Sequence, residues 1–273
     1  MLHAPPNPML AKLARREAAL GVLVFSPDPA VTEMAGGAGF DLVLIDTEHA
    51  ALGLPDIVAH VRAAQCAGVS CWVRVGRYDT AEIGRILDAG AQGIMFPHYG
   101  LHPEATAALA AMRYAPTGAR PTCTGMRGSA YGIADFAAYA TRANQETMAV
   151  GLVEDREVVD QIDPVLDQCP LQAVMPGGAG DLASSLGVHG QARHPLVLSA
   201  IRRVVAAAKA RPQLAVGVYI SDVESMADML ALSADFYVFS IDYKILARAF
   251  KDIHAAWLDG VRKAAPSPAA ARP

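Results

Sequence analysis

From residue 20 onward the chain alternates two kinds of segment: short runs of aliphatic and β-branched residues, and longer stretches whose apolar residues recur at helical spacing. The short runs are 20–25, 41–46, 70–75, 93–96, 147–152, 172–175, 214–219 and 236–240. Several are apolar throughout, as strands covered on both faces are. Helical patterns occupy 55–67, 81–89, 103–112, 196–210 and 223–232, and a last one runs from 242 toward 262. Eight strands, most followed by a helix, predict a (β/α)8 TIM barrel spanning 1–262 as one domain. A doubly wound open sheet has the same alternation, because counting strands does not show closure. The segment 113–131, rich in Pro, Gly and Thr, is long for a plain connection. The tail 263–273, almost all Ala, Pro and Ser, is expected to be disordered.

Composition narrows the function classes. The 23 Lys+Arg against 27 Asp+Glu give a net charge of −4, too nearly neutral for a protein living on phosphate backbones, so no nucleic-acid partner is expected. No apolar stretch reaches the length of a membrane span, and prolines and charges interrupt the first 17 residues where a secretion signal would need an apolar run. The cysteines, Cys66, Cys71, Cys123 and Cys169, have no CxxC spacing and are expected as reduced thiols. A soluble, cytoplasmic protein is the expectation.

In a βα barrel the carboxyl ends of the strands and the loops after them face one mouth. Asp46, Glu48 and His49 come after the second strand, the third carries Arg74 near its end, Glu154 and Asp155 follow the fifth, and Asp181 follows the sixth. Each has a plainer reading: Asp181 as a helix N-cap, Glu154 as a first-turn acid on a helix dipole, His49 as a solvated loop residue. Arg74, flanked by Val73 and Val75, is harder to set aside, since a buried guanidinium needs an anion from the protein or a ligand. Together, two carboxylates suit a hard divalent cation such as Mg2+, His49 with Asp46 to orient it suits proton transfer, and Arg74 suits a developing enolate. That set matches proton abstraction beside a metal-bound carbonyl, or the equivalent C–C cleavage. Two motifs point elsewhere and fail. Gly178 to Ala183 fits GxGxxA, but no acid follows about 20 residues later to take a ribose. His98 and His102 are spaced HxxxH, but Gly100 and Pro103 break any shared helix face.

The ordered series GAGFDLVLIDTEHA (37–50), VRV around Arg74, ILDAG around Asp88, RYAPTGAR (113–120) and the strand-end Glu154 resembles the HpcH/HpaI aldolases, metal-dependent class II pyruvate aldolases of the phosphoenolpyruvate/pyruvate barrel superfamily. The resemblance implies a lyase that cleaves or forms 4-hydroxy-2-oxo acids, giving pyruvate and an aldehyde through a metal-stabilised enolate. It implies Glu154 and Asp181 as ligands of Mg2+, Mn2+ or Co2+, Arg74 on the keto oxygen, and the Gly180 and Asp181 amides on the carboxylate. His49 paired with Asp46 would be the acid/base, with Glu48 and Asp88 positioning water. It further implies a hexamer built as a trimer of dimers, with the last helix exchanged between subunits. The family's GPxDLS reads Gly178-Ala179-Gly180-Asp181-Leu182-Ala183 here, keeping the ligand and losing the proline and serine. The loop after RYAPTGAR also departs and is expected to meet the aldehyde, with His98, Tyr99, Arg120, Arg127 and Tyr131 as candidate wall residues and Arg127 as the substrate contact. Two other readings stay open: a barrel that binds a 2-oxo acid without catalysis, and a related CoA-thioester lyase, for which no basic cluster is visible.

Overall fold

In the computed structural model, which describes residues 6–168, 170–177 and 180–264, the apolar runs form eight strands. They are β1 (Ala19–Val24), β2 (Leu42–Asp46), β3 (Ser70–Arg74), β4 (Gly93–Phe96), β5 (Met148–Val153), β6 (Ala173–Pro176), β7 (Ala215–Ile220) and β8 (Phe236–Ile241). Every strand pairs in parallel with its sequence neighbour and β8 pairs with β1, so the sheet closes. Closure excludes the doubly wound alternative and establishes the (β/α)8 barrel. Each strand lies within one residue of its expected run at either end.

Two apolar cores result. One lies between the strands and the surrounding helices. The other fills the barrel with Leu42, Leu44, Trp72, Met95, Leu152 and Phe236 among its members. Trp72 and Phe236 meet edge to face at 5.4 Å inside it. That contact requires glycine on the facing strands: a Cβ at Gly93 would sit 2.6 Å from Trp72, and one at Gly217 would sit 2.2 Å from Phe236. Met9, on the helix Pro8–Ala14, closes the floor. Asn7 caps that helix, accepting the Met9 amide at 3.1 Å, and donates to the Glu146 carbonyl at 2.9 Å.

The helix Thr80–Ala89 shows how side chains are sorted between the two rims. It starts on Asp79, whose carboxylate accepts the Ala81 and Glu82 amides, and stops at Gly90, where φ is 104°. Running back against the strands, it carries Asp88 in its last turn to the amino-terminal rim. Segment 113–131 covers that same rim. Arg113 donates to the Thr147 carbonyl just before β5, and Arg127 donates to the Ala89 carbonyl. Tyr114 and Met126 from the segment pack with Ala143 on the helix Phe136–Glu146.

Three expectations change. The pattern 103–112 shortens to Ala105–Ala110, and 223–232 divides into a 3-10 turn, Val223–Ser225, and the helix Met226–Leu230. The last helix, Asp242–Ala264, takes in residues 263 and 264 of the expected tail; the remainder of the tail, Cys169, Gly178 and Ala179 lie outside the described residues. This helix does not fold back over its own barrel: of its residues only Asp242 is buried, while Phe250, Ile253 and Trp257 are each more than half exposed. No helix among the described residues is long and apolar enough to cross a membrane.

Candidate active site

At the carboxyl-terminal rim, β2 and β3 end in register, with Asp46 opposite Arg74. Both are buried, and the guanidinium binds the carboxylate through two nitrogens, Nη2 to Oδ2 and Nε to Oδ1. The anion that Arg74 needs is therefore a protein group. Glu48 adds a second, 3.3 Å from Arg74 Nε. The turn after β2 folds tightly because Asp46 Oδ1 also accepts the amides of Glu48 and His49, at 2.8 and 3.2 Å. This corrects the expected His49–Asp46 pairing: Asp46 holds the backbone of His49, not its ring. The half-exposed imidazole instead has Nε2 3.7 Å from Glu48 Oε2. That oxygen is buried and is the one 3.3 Å from Arg74 Nε, and it accepts no hydrogen bond among the described residues.

Glu154 follows β5 and is 2% exposed. Its neighbour Asp155 takes the N-cap position of the helix Arg156–Asp160, so Glu154 does not act as a dipole acid but turns inward. Gly177, just after β6, makes room for it, since a Cβ there would lie 2.3 Å from Glu154 Cβ. Burial pushes the Glu154 carboxyl up to about 7, against the pull of the His98 amide, which donates to Oε1 at 3.0 Å; the charges of Asp181 and Glu48 add to the rise. Burial likewise raises Glu48, although Arg74 opposes it. His98, held at φ 48°, places Nδ1 3.0 Å from Asp155 Oδ2. Burial works against its imidazolium, but that hydrogen bond and the charge of Glu154 outweigh it, and its pKa rises.

Asp181 is the first residue of the short helix Asp181–Ser185, whose N-cap is Gly180. It therefore caps nothing and is exposed toward a cavity of about 190 Å³ above the inner core. Arg74, Glu154, His49, Gly180 and Asp181 line this cavity over a base of Leu44, Met95 and Leu152. Glu48 reaches it through Arg74 and His49. The same cavity gathers three polar residues that no sequence motif marks, Tyr219, Ser221 and Lys244. The signal that points to them is their place at or just past the ends of the seventh and eighth apolar runs, the same position that marks the acids after the second, fifth and sixth. Burial raises the Tyr219 phenol.

Asp88 and Arg127 are not part of this cavity. Asp88 accepts from Arg120 Nη2 at 2.7 Å on the opposite rim, where Arg127 binds the Ala89 carbonyl and Gln65. Arg120 and Tyr131 sit with them, so the loop expected to meet the aldehyde does not reach the mouth of its own barrel. His98 does border the site, through Glu154, and the His102 ring lies 4.6 Å from that of Tyr78, tilted by 35°.

The donor set fits a hard cation. Among the described residues no three His, Cys, Asp or Glu side chains converge as a closed cage. The buried Glu154 and the cavity-facing Asp181 supply two oxygen donors, which suits an ion that keeps waters and takes oxygens from a ligand. A divalent charge there would also stabilise the ionised form of Glu154, which burial alone disfavours.

The HpcH/HpaI aldolase/citrate lyase family model matches residues 20–249. A hydroxypyruvate/pyruvate aldolase of Sagittula stellata is 36% identical over 200 residues, 73% of this chain and 78% of that protein. A pyruvate aldolase of Rhizobium etli is 31% identical over 254 residues, 93% of this chain and 98% of the other. The crystal structure of an HpcH/HpaI aldolase from Desulfitobacterium hafniense superposes with a TM-score of 0.84 at 26% identity, covering 96% of this chain and 99% of that one. With the barrel closed, the acids and Arg74 gathered at its mouth, and the match running through nearly all of the strands, this chain belongs to the HpcH/HpaI aldolase/citrate lyase family and is an aldolase, a carbon–carbon lyase.

Proposed function

We propose that the enzyme is a divalent-metal-dependent pyruvate aldolase, cleaving or forming 4-hydroxy-2-oxo acids with pyruvate and an aldehyde as the other partners. The observation that carries this reading is Glu154, a nearly inaccessible carboxyl beside Asp181 and across the cavity from the Arg74–Asp46 pair. Glu154 and Asp181 would hold Mg2+, Mn2+ or Co2+, and the ion would act as a Lewis acid on the 2-oxo group. The names of the two relatives support pyruvate as the nucleophilic partner.

Arg74 donates to the keto oxygen and stabilises the negative charge that collects there as the C3–C4 bond breaks. Its orientation is set in advance by Asp46 and Glu48, so no reorganisation is needed during the reaction. The amides of Gly180 and Asp181 hold the substrate carboxylate. His49, the half-exposed imidazole at the cavity edge, takes the proton from the 4-hydroxyl, with Glu48 Oε2 beside it to stabilise the imidazolium. Electrons of the breaking bond pass into the enolate, and a proton delivered to C3 completes pyruvate.

Asp88 and Arg127 lie on the opposite rim of their own barrel, so in this scheme they would take part only from a neighbouring copy. The exposed apolar face of Asp242–Ala264 supports a hexamer built from dimers that exchange this helix. The deciding experiment follows pyruvate release from a 4-hydroxy-2-oxo acid. EDTA is expected to abolish it and Mg2+, Mn2+ or Co2+ to restore it; full activity after thorough metal removal refutes the reading.

A further inference from the structure

One wall of the cavity, made by the ends of β7 and β8 and the start of the last helix, carries a charge that the proposed reaction does not use. Lys244 lines the same cavity as Glu154 and Asp181. Its ammonium makes no ion pair or hydrogen bond among the described residues. The acids near it in the fold are already engaged. Asp242 Oδ1 accepts the amides of Phe25 at 3.0 Å and Tyr243 at 2.7 Å, and its Oδ2 accepts that of Ser26 at 2.9 Å. Asp222, after β7, accepts from the Ser225 amide and the Ser221 hydroxyl, and Arg193 reaches it at 3.4 Å. The other strong cation of the cavity, Arg74, is matched by Asp46 and Glu48. Among the described residues, Lys244 is thus the cavity cation with no anion of its own.

Lys244 is exposed in the single chain, and it is its place on the cavity wall, not burial, that turns its charge toward an entering ligand. The cavity wall it shares includes Phe25, Ile241 and the body of Tyr219. The Asp242 contacts pin the first turn of the helix to the end of β1, so the Lys244 backbone is fixed relative to the mouth. A cation at the edge of a partly apolar cavity attracts an anion entering it. The carboxylate of the 2-oxo acid is assigned to the amides after β6. The anion left for the β8 side therefore belongs to the other reactant.

We propose that Lys244 binds an anionic group, carboxylate or phosphate, carried by the aldehyde, and so sets the acceptor class of the enzyme; this rests on the pyruvate aldolase reading above. The test is carried out on the full chain with its divalent metal, in the direction of aldol addition. Pyruvate is combined with two carboxylate aldehydes, glyoxylate and succinic semialdehyde, with glyceraldehyde 3-phosphate, and with the neutral glycolaldehyde and propionaldehyde. The wild type is expected to favour an anionic aldehyde in kcat/KM, and whether carboxylate or phosphate leads identifies the source of the anion. Lys244→Met is expected to cut that preference by about tenfold, or about 1.4 kcal/mol, and Lys244→Arg to restore most of it. An unchanged preference in Lys244→Met overturns the proposal, as does an equal loss on charged and neutral aldehydes. A rise in KM confined to pyruvate also overturns it, since Lys244 would then hold the donor. If the wild type neither exchanges the methyl protons of pyruvate with deuterium nor adds any aldehyde, the aldolase reading itself falls and takes this assignment with it.

Discussion

The two rims of the barrel are both rich in charge, and they treat it in opposite ways. At the amino-terminal rim the arginines are largely spent on structure. Arg113 binds the Thr147 carbonyl and Gln172, Arg120 binds Asp88 and lies over the Tyr114 ring, and Arg127 binds Ala89 and Gln65. Burial, with the charge of Arg120, brings the Arg113 guanidinium down to about 10, still well above neutrality. At the carboxyl-terminal rim it is acids that are buried, and one of them, Glu154, is brought to the edge of its charged form near neutral pH. Charge on the first rim is fixed by the fold; charge on the second depends on what enters the cavity. Perturbed acids in a cavity mark the chemistry.

The sharpest way to break this comparison is to remove one group from each rim. Glu154→Gln keeps the shape and deletes the charge. It is expected to lower kcat/KM by about 10³-fold, the scale reached when one preorganised transition-state contact is lost. Isothermal titration with Mn2+ should show the binding heat disappear with it. Asp88→Ala is expected to be similarly damaging if the two rims of adjacent copies form one site. Co-refolding the two variants then supplies the test. Mixed oligomers should regain part of the activity, because some sites draw Glu154 from one copy and Asp88 from another. A mixture as inactive as its parents would confine Asp88 to its own rim.

A smaller effect tests whether the rims differ in backbone tolerance. Gly177→Ala places a methyl 2.3 Å from Glu154 Cβ and 2.9 Å from its Cα, contacts that the backbone must relieve. Overpacking of this kind costs roughly 1–3 kcal/mol of stability. The activity loss should exceed what that cost explains, since Glu154 moves. Gly217→Ala overpacks against Phe236 in the inner core and should lower the melting temperature while leaving the metal affinity of the folded fraction intact. Equal loss of metal affinity in both would show that Gly177 has no particular part in placing the ligand.

The carboxyl-terminal rim is largely legible in the sequence and the amino-terminal rim is not, for a physical reason. Strand runs apolar on both faces locate their own ends, so the hydrophobic pattern alone assigns Asp46, Arg74 and Glu154 to the mouth. Asp88 and Arg127 lie in a helix end and a 3-10 turn, where motif order along the chain carries no information about which rim is reached. The three-residue spacing from Asp46 to His49 suggests a pair of side chains. In a tight turn that spacing lets a carboxylate accept backbone amides instead, which is what Asp46 does. The last helix is ambiguous in sequence because an apolar stripe looks the same whether it covers its own barrel or a neighbour's. Only its exposed Phe250, Ile253 and Trp257 distinguish the two.

The smallest effect concerns how the mouth is braced. His60, fully buried on the helix Leu54–Ala67, shares a hydrogen bond with Thr32 Oγ1 at 2.8 Å and places Nε2 2.9 Å from the Ser26 carbonyl, tying the loop after β1 to its neighbours. Burial lowers its pKa below 6.5, against the pull of the Ser26 carbonyl. In the unfolded chain the imidazole takes up a proton near pH 6.5. Between that pH and the lower folded value the unfolded state binds more protons than the native one. Stability from His60 is therefore complete above about pH 6.5 and is lost as the pH falls through the folded pKa. Glu154 runs the other way. Its raised carboxyl makes the metal-free protein lose stability as the pH rises from about 4.5 toward 7. Urea midpoints of metal-free protein at pH 5.5 and 7.5 should thus shift in opposite senses in two variants. His60→Gln should flatten the loss on the acid side, and Glu154→Gln should flatten the loss toward neutrality. Identical pH slopes in His60→Gln and wild type would mean that the buried imidazole accepts its proton without unfolding, and that the brace at the mouth is indifferent to charge.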